Sequence, residues 1–207
     1  LYRYKEAFAF SFVEEFITRF DLRKADYLFD PFCGMGTTLV AAARRGIPSL
    51  GVDRLPVAVF VAQTLPLFYS LRRGQIADAF NELKTKVNHI SAAEIALDVA
   101  IMKIAFPPET LLALRKWKAA IDQLEPPMSD VFLLLFFSIL EPCSFTSKDG
   151  QFLRLVRKKR TARPEEALEE KVREAEEDIE AVKALGWDRA VRLPSVYAGD
   201  TRDLAAI

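Results

Sequence analysis

The stretch FDPFCGMGTTLVAAA, residues 29–43, decides the fold. An apolar run meets Asp30 and Pro31, then Gly34 and Gly36, then Thr37 and Thr38, then a helical pattern that stops at Gly46. A strand ending in a carboxylate, a glycine turn and a helix start, in that order, form a nucleotide-type binding turn. Glycine tolerates positive φ and has no Cβ, so a ligand can come close to the backbone. In doubly wound sheets the ligand lies at the carboxyl ends of the strands. A dinucleotide fingerprint would need a third glycine where Leu39 stands, and a P-loop would need a lysine after Gly36. A phosphate cradle is therefore not supported. A carboxylate at the strand end repels a phosphate and welcomes an ammonium group.

Working outward, residues 12–20 repeat apolar side chains at helical spacing, and residues 27–29 read as a short buried strand. Helix 37–45, strand 49–52 and helix 57–65 follow, the opening of a doubly wound α/β sheet. From about residue 67 helical periodicity takes over, with helices expected at 76–97, 108–124, 130–140 and 164–185. Pro107-Pro108 and Pro126-Pro127 punctuate them. The last helix is laced with charge from Glu166 to Asp178 and reads mostly as a solvated face. Asp149-Gly150 marks a turn, with a strand or hairpin arm after it. A strand returns over 191–197, ahead of AGDTRDL. The expected organisation is one sheet with an insertion: an α/β part over 1–66, a mainly helical insertion over 67–190, and a return to the sheet over 191–207.

The 207 residues are 51% hydrophobic and 28% charged with a net charge of zero. That suits one globular domain, or one with an insertion, and gives no whole-chain field toward nucleic acid or membrane. The longest apolar run, residues 131–137, is too short to span a bilayer. The opening LYRYKEAFAF lacks a signal-peptide layout. Cys33 and Cys143, the two cysteines, form no CxxC, so neither a metal site nor a disulfide framework is expected. A reducing cytoplasm is the expected compartment.

Asp53, at the end of the second strand, can accept both hydroxyls of a ribose. Asp200 follows the third visible strand and can accept from an exocyclic amine. An ammonium group, a ribose diol and an adenine amine, with no necessary phosphate, describe S-adenosylmethionine. Thr37 and Thr38 either cap their helix or touch the ligand. Cys33 reads as a small buried group, since no partner base accompanies it. His89 stands alone in a helical segment and reads as structural or surface. Arg154, Arg157, Lys158, Lys159, Arg160 and Arg163 form a dense basic cluster. It either contacts nucleic-acid phosphates or pairs with the acidic helix that follows.

DPFCGMGTTLVAAA closely resembles the DPFCGSGTT motif of amino-methylating DNA methyltransferases, which modify N4 of cytosine or N6 of adenine. Met35 stands where that family usually has Ser or another small residue. GVDRLPVAV resembles the family's ribose-binding segment, and AGDTRDL its adenine-contacting segment. YRYKEAFAFSFVEEFITRF resembles the segment that helps hold the methionine end of the cofactor. SFTSKDGQFLRLVRKK also looks like a segment of uncharacterised members. The resemblance covers about residues 1–66 and 191–207.

The resemblance implies an incomplete Rossmann-like methyltransferase sheet, S-adenosyl-L-methionine as cofactor and DNA as partner. RNA is the alternative substrate, because some RNA methyltransferases carry a similar turn. The implied cofactor-binding set is Asp30, Pro31, Phe32, Cys33, Gly34, Gly36, Thr37, Thr38, Asp53, Arg54 and Asp200. Phe32 would pack beside the methionine, Asp53 would hold the ribose and Asp200 the adenine N6. The helical insertion would recognise the substrate, with Arg154, Arg157, Lys158, Lys159 and Arg160 on the nucleic acid.

The family holds its target amine with an [SND]PP[YFW] motif that also stacks on the flipped base. Here Phe106-Pro107-Pro108-Glu109 begins with Phe, and Glu125-Pro126-Pro127-Met128 lacks the final aromatic. No catalytic residue is therefore assigned, and the catalytic loop is expected beyond Ile207, in the same protein or a partner subunit. A chain of this kind is expected to be inactive alone. A non-catalytic cofactor-binding subunit is the remaining alternative.

Overall fold

The computed structural model describes residues 9–93, 100–149, 152–156 and 160–203. They fall into two compact units, one built from residues up to 72 together with those from 178 onward, the other from residues 73–177.

The first unit is the α/β part. Helix α1 (Phe10–Arg19) leads to strand β1 (Leu28–Asp30), helix α2 (Thr37–Arg45), strand β2 (Ser49–Asp53) and helix α3 (Pro56–Thr64). A 3₁₀ turn over Leu65–Ser70, not foreseen in the sequence, closes this run. Strand β5 (Ser195–Ala198) returns to the sheet, whose order is β1-β2-β5 with both pairings parallel. Asp30 pairs with Gly51, and Asp53 with Ala198, so the strand ends that bear the acids share one edge.

Helix α2 has the bounds its pattern predicts, with Gly46 as C-cap at φ 70°. Its alanines leave room for α1: Val13 and Ile17 pack on Ala41, Ala42 and Ile47. On the other side Cys33, Leu39, Val59, Ala62 and Val196 form a second cluster. The Glu14 carboxylate joins α1 to α2 by pairing with Arg44 and Arg45. Arg44 also stacks on Trp187, 4.1 Å from the ring centre.

Two expectations need correction here. The strand predicted at 27–29 is not buried: Tyr27 is 61% and Phe29 43% exposed. The reason is position, since β1 pairs with β2 alone among the described residues and so meets solvent. The strand predicted from 191 starts at Ser195. Pro194 cannot donate to a ladder, and the Arg192 amide instead donates to the Ala43 carbonyl at the end of α2.

The second unit holds helices α4 (Gln75–Val87), α5 (Ala100–Ala105), α6 (Pro108–Ile121) and α7 (Met128–Ile139), and a hairpin of β3 (Thr146–Asp149) and β4 (Phe152–Leu155). Phe80 of α4 stacks on Trp117 of α6 at 5.6 Å. Helix α4 is shorter than the 76–97 expected. It ends at Val87 with Asn88 as C-cap, and residues 94–97 lie outside the described ones.

Helix α8 (Pro164–Ala184) crosses from this unit's residues into those of the first. It also departs from the solvated-face reading. Leu168, Val172, Ala175 and Ile179 repeat at three- and four-residue steps and are buried. Glu176 caps α4, accepting from the amides of Gly74 at 2.7 Å, Ile76 at 2.9 Å and Ala77 at 3.0 Å. A helix start leaves such amides without partners inside the helix, and a carboxylate also suits its positive end. Among the described residues no helix is long and apolar enough to cross a membrane.

Candidate functional site

Asp30 begins the loop. Its Oδ1 accepts from the Phe32 amide at 3.1 Å, an Asx turn that bends the chain off the strand. The Cys33 amide donates to the Val52 carbonyl at 3.0 Å, pinning the loop to β2. The Gly36 amide donates to the Cys33 carbonyl at 2.7 Å and closes the turn.

Asp53 receives this loop. Its Oδ2 accepts from the Gly34 amide at 3.0 Å and its Oδ1 from the Leu55 amide at 2.9 Å. A carboxylate has about four acceptor positions, so each oxygen keeps capacity for a further donor. Two adjacent acceptors on one fixed carboxylate match a vicinal diol.

The two glycines of the motif do different work. A Cβ on Gly34, at φ 50°, would meet nothing within 4 Å. A Cβ on Gly36, at φ 82°, would lie 2.8 Å from the Ala62 Cβ and 2.9 Å from its Cα. Gly34 thus borders open space, whereas Gly36 lets α3 pack against the turn. Gly51 makes a third close approach, since a Cβ there would stand 2.5 Å from a Leu39 methyl and 2.9 Å from Cys33.

The N-cap of α2 is Gly36, and no side chain caps the helix start. Thr37 and Thr38 therefore sit inside the first turn, part-exposed, and do not serve as caps. Met35 is buried, so the side chain that departs from the usual small residue turns inward. Phe32 is 77% exposed, with Pro31 beside it part-exposed. Cys33 is buried, and that burial, with the charges of Asp30 and Asp53, pushes its thiol up to about 12. Its burial agrees with the reading of Cys33 as a small buried group.

Asp200 stands beside Asp53 because the Gly199 amide donates to the Asp53 carbonyl at 3.0 Å. Its carboxylate is engaged on both oxygens by Arg202, with Nε 2.9 Å from Oδ1 and Nη2 2.5 Å from Oδ2. Arg54 lies 4.0 Å away. These bonds from the Arg202 side chain and backbone, aided by the Arg54 charge, hold the Asp200 carboxyl well below the usual carboxylate range. The structure thus gathers Asp30, Phe32, Cys33, Gly34, Asp53, Arg54 and Asp200 at one sheet edge. Among the described residues no cluster of His, Cys, Asp or Glu is arranged to hold a metal.

The chain is 34% identical over 163 residues to the Type II methyltransferase M.BsoBI of Geobacillus stearothermophilus, covering 73% of the chain and 30% of that relative. It is homologous to Type II methyltransferases. Over 155 residues it is 28% identical to the Type II methyltransferase M.AvaI of Nostoc sp., covering 74% of the chain and 32% of that protein. Over 86 residues it is 33% identical to the Type II methyltransferase M.MjaII of Methanocaldococcus jannaschii, covering 41% of the chain and 16% of that protein. The chain thus spans about a third of the length of the first two of these methyltransferases. No family model and no solved structure matches it. The methyltransferase resemblance read from the glycine stretch is borne out.

Arg154, in β4, and Arg160 are exposed. Arg157, Lys158 and Lys159 lie outside the described residues. Arg163 pairs with Glu166 at 3.4 Å, a contact of the solvated-arm kind. His89 is exposed in the turn after α4. Both Pro-Pro segments open helices: Pro107 and Pro108 start α6, and Pro127 is the N-cap of α7. Glu176 is the polar residue that sequence reasoning missed, and its acidic surroundings in α8 offered no signal of a cap.

Proposed function

We propose that the chain is the cofactor-binding part of a DNA methyltransferase that uses S-adenosyl-L-methionine to methylate an exocyclic amine of a base. The observation that carries this reading is the Asp53 carboxylate, tied to the Gly34 loop and keeping acceptor capacity on both oxygens. The homology to Type II methyltransferases supports it. In this reading the sheet is the start of a Rossmann-like methyltransferase sheet, and the mainly helical segment is its substrate-recognition element.

Asp53 accepts the ribose hydroxyls, and the turn from Asp30 through Pro31, Phe32, Cys33 and Gly34 to Gly36 shapes the floor beside the methionine. Phe32 covers that end, Thr37 and Thr38 line the helix start, and Asp30 attracts the ammonium. Asp200 takes the adenine amine in place of Arg202, with Arg54 flanking it. The bound cofactor supplies an activated methyl group. This chain's residues hold it in register, while the groups that extrude and polarise the target amine belong to the rest of the enzyme. Arg154, Arg157, Lys158, Lys159 and Arg160 meet DNA phosphates.

Isothermal calorimetry with S-adenosylhomocysteine tests the cofactor site. Binding is expected, and Asp53→Ala should weaken it by about 1–3 kcal/mol, since the ligand hydroxyls lose their acceptor. No heat and no thermal shift at saturating ligand, from a chain shown folded by circular dichroism, would overturn the assignment. For the DNA face, replacing Arg157, Lys158 and Lys159 by Ala should flatten the salt dependence of duplex binding. An unchanged slope returns the cluster to the solvated arm.

A further inference from the structure

The second unit holds a cavity of about 330 Å³ between helices α5, α6 and α7. Met102, Phe106, Leu114, Phe136 and Leu140 make its wall apolar. The charged side chains on it are Arg115, Lys118 and Asp122. Its volume falls at the low end of the roughly 300–1,000 Å³ typical of small-molecule sites, which are likewise mostly apolar with a few fixed polar groups.

The two cations differ. Lys118 already has its partner, with Nζ 2.6 Å from Oδ1 and 2.7 Å from Oδ2 of Asp122. That pair marks the mouth, since its side chains are 37% and 52% exposed. Arg115 is part-buried, and no carboxylate pairs with it among the described residues. Its Nε donates to the Ala93 carbonyl at 2.6 Å, and the Ala93 amide donates to the Arg115 carbonyl at 3.1 Å. This reciprocal pair fixes the guanidinium at the cavity wall. A guanidinium has five N–H donors, so the Nη1 and Nη2 edge keeps capacity for a further acceptor.

These features narrow the occupant. A nucleobase or a sugar would press several donors and acceptors against a wall of carbon, and burying them without partners is unfavourable. A plain hydrocarbon would suit the wall and leave the part-buried Arg115 charge without a counter-ion. An apolar body that ends in one carboxylate suits both, because two parallel N–H bonds from a guanidinium match a carboxylate.

We propose that this cavity is a binding site for a small amphiphilic carboxylate, with its hydrocarbon tail among Phe106, Leu114 and Phe136 and its carboxylate on the Nη1 and Nη2 edge of Arg115. The site shares no residue with the strand-end loop and does not depend on the methyltransferase reading.

Isothermal calorimetry of the full chain with octanoate, below the concentration at which it forms micelles, tests the proposal. One saturable site is expected, and octanoate should raise the melting temperature. Affinity should increase about fourfold for each methylene from hexanoate to octanoate, the gain that burying a methylene provides. On the wild-type chain octanoate should bind about fivefold or more tightly than 1-octanol, which has the same tail and no charge. Arg115→Gln should remove that preference and leave 1-octanol within about twofold. Leu111→Trp and Ala93→Leu each add bulk at the cavity wall and should weaken octanoate by roughly tenfold or more, with circular dichroism verifying the fold. A folded wild-type chain with no saturable heat and no rise in melting temperature overturns the proposal. Octanoate binding that both bulkier variants leave intact overturns the cavity as its place. Wild-type binding of 1-octanol as tight as that of octanoate overturns the role of Arg115 and the carboxylate with it.

Discussion

Gly34→Ala and Gly36→Ala look equivalent in the motif and should behave very differently. Both positions have positive φ, which costs an L-residue roughly 1–2 kcal/mol. For Gly34 that is the whole stability cost, because its new Cβ meets nothing within 4 Å. For Gly36 the Cβ also falls 2.8–2.9 Å from the Cβ and backbone Cα of Ala62. Ala62 is fully buried, so α3 must shift, and overpacking of this kind adds about 1–3 kcal/mol. For a chain of this size about 1 kcal/mol moves the melting temperature by 2–4 °C. Gly34→Ala should therefore lower it by about 2–8 °C and Gly36→Ala by about 4–20 °C, the larger loss in any one preparation. Binding should separate the other way. A methyl at Gly34 enters the open space beside Asp53, so S-adenosylhomocysteine affinity should fall at least about tenfold, or 1.4 kcal/mol, in a chain that is still folded. Differential scanning fluorimetry and calorimetry on the two variants read both quantities. Equal destabilisation would refute the division of labour between the glycines. Wild-type affinity in Gly34→Ala would refute the idea that a ligand approaches that face.

Four further outcomes can be measured on the same chain. Glu176→Ala leaves three amides at the start of α4 without their charged acceptor and should cost about 1.5–3 kcal/mol by urea midpoint; the exposed Glu177→Ala should stay within about 0.5 kcal/mol, and similar costs for the two would sink the capping role. Cys33 should resist iodoacetamide at pH 8 until the chain is unfolded in urea, and native labelling at the unfolded rate would contradict its burial. The folded chain disfavours the Cys33 thiolate, so this group's stabilising contribution is complete below the ordinary thiol pKa and should be lost as pH rises toward about 12; a Cys33→Ala variant should show a flatter alkaline decline. Arg202→Ala removes the side-chain bonds to both oxygens of Asp200, leaving only the backbone amide of residue 202 on Oδ1, and should tighten S-adenosylhomocysteine binding, whereas weaker binding would show that Arg202 assists the ligand.

The glycine stretch was legible because its information is local. An acid before a turn, glycines where φ must be positive, and an alanine-rich helix closed by Gly46 each follow from neighbours a few residues apart. Asp53 was legible for the same reason, as the polar end of an apolar strand. Features that failed to show in the sequence depend on what lies across space. Apolar residues 27–29 resemble a buried strand in any one-dimensional reading, and only the sheet order reveals an edge. Glu176 sits in a helix crowded with acids, and its partner Ile76 is 100 positions away in the chain. The difference between Gly34 and Gly36 depends on where Ala62 of α3 comes to rest.

Long-range packing thus sorts the motif's residues into those that face inward and those that border open space. Gly36, Met35 and Cys33 face inward. Gly34, Asp53 and Phe32 border open space or keep spare acceptors. That sorting bears on how the relatives should be read. Substitution at an inward position must be matched by a change in its packing partner, as an alanine at Gly36 would need a displaced α3, because the Ala62 Cα alone stands 2.9 Å away. Substitution at an outward position needs no such partner, only a ligand that tolerates it. Gly36→Ala combined with Ala62→Gly removes the contact with the Ala62 Cβ but leaves the backbone Cα 2.9 Å away and places a glycine, about 1 kcal/mol less favourable than alanine, inside α3; the pair should therefore recover little of the overpacking loss. Full recovery of stability by that pair would instead show that the Ala62 methyl, and not the approach of the α3 backbone, sets the requirement for Gly36.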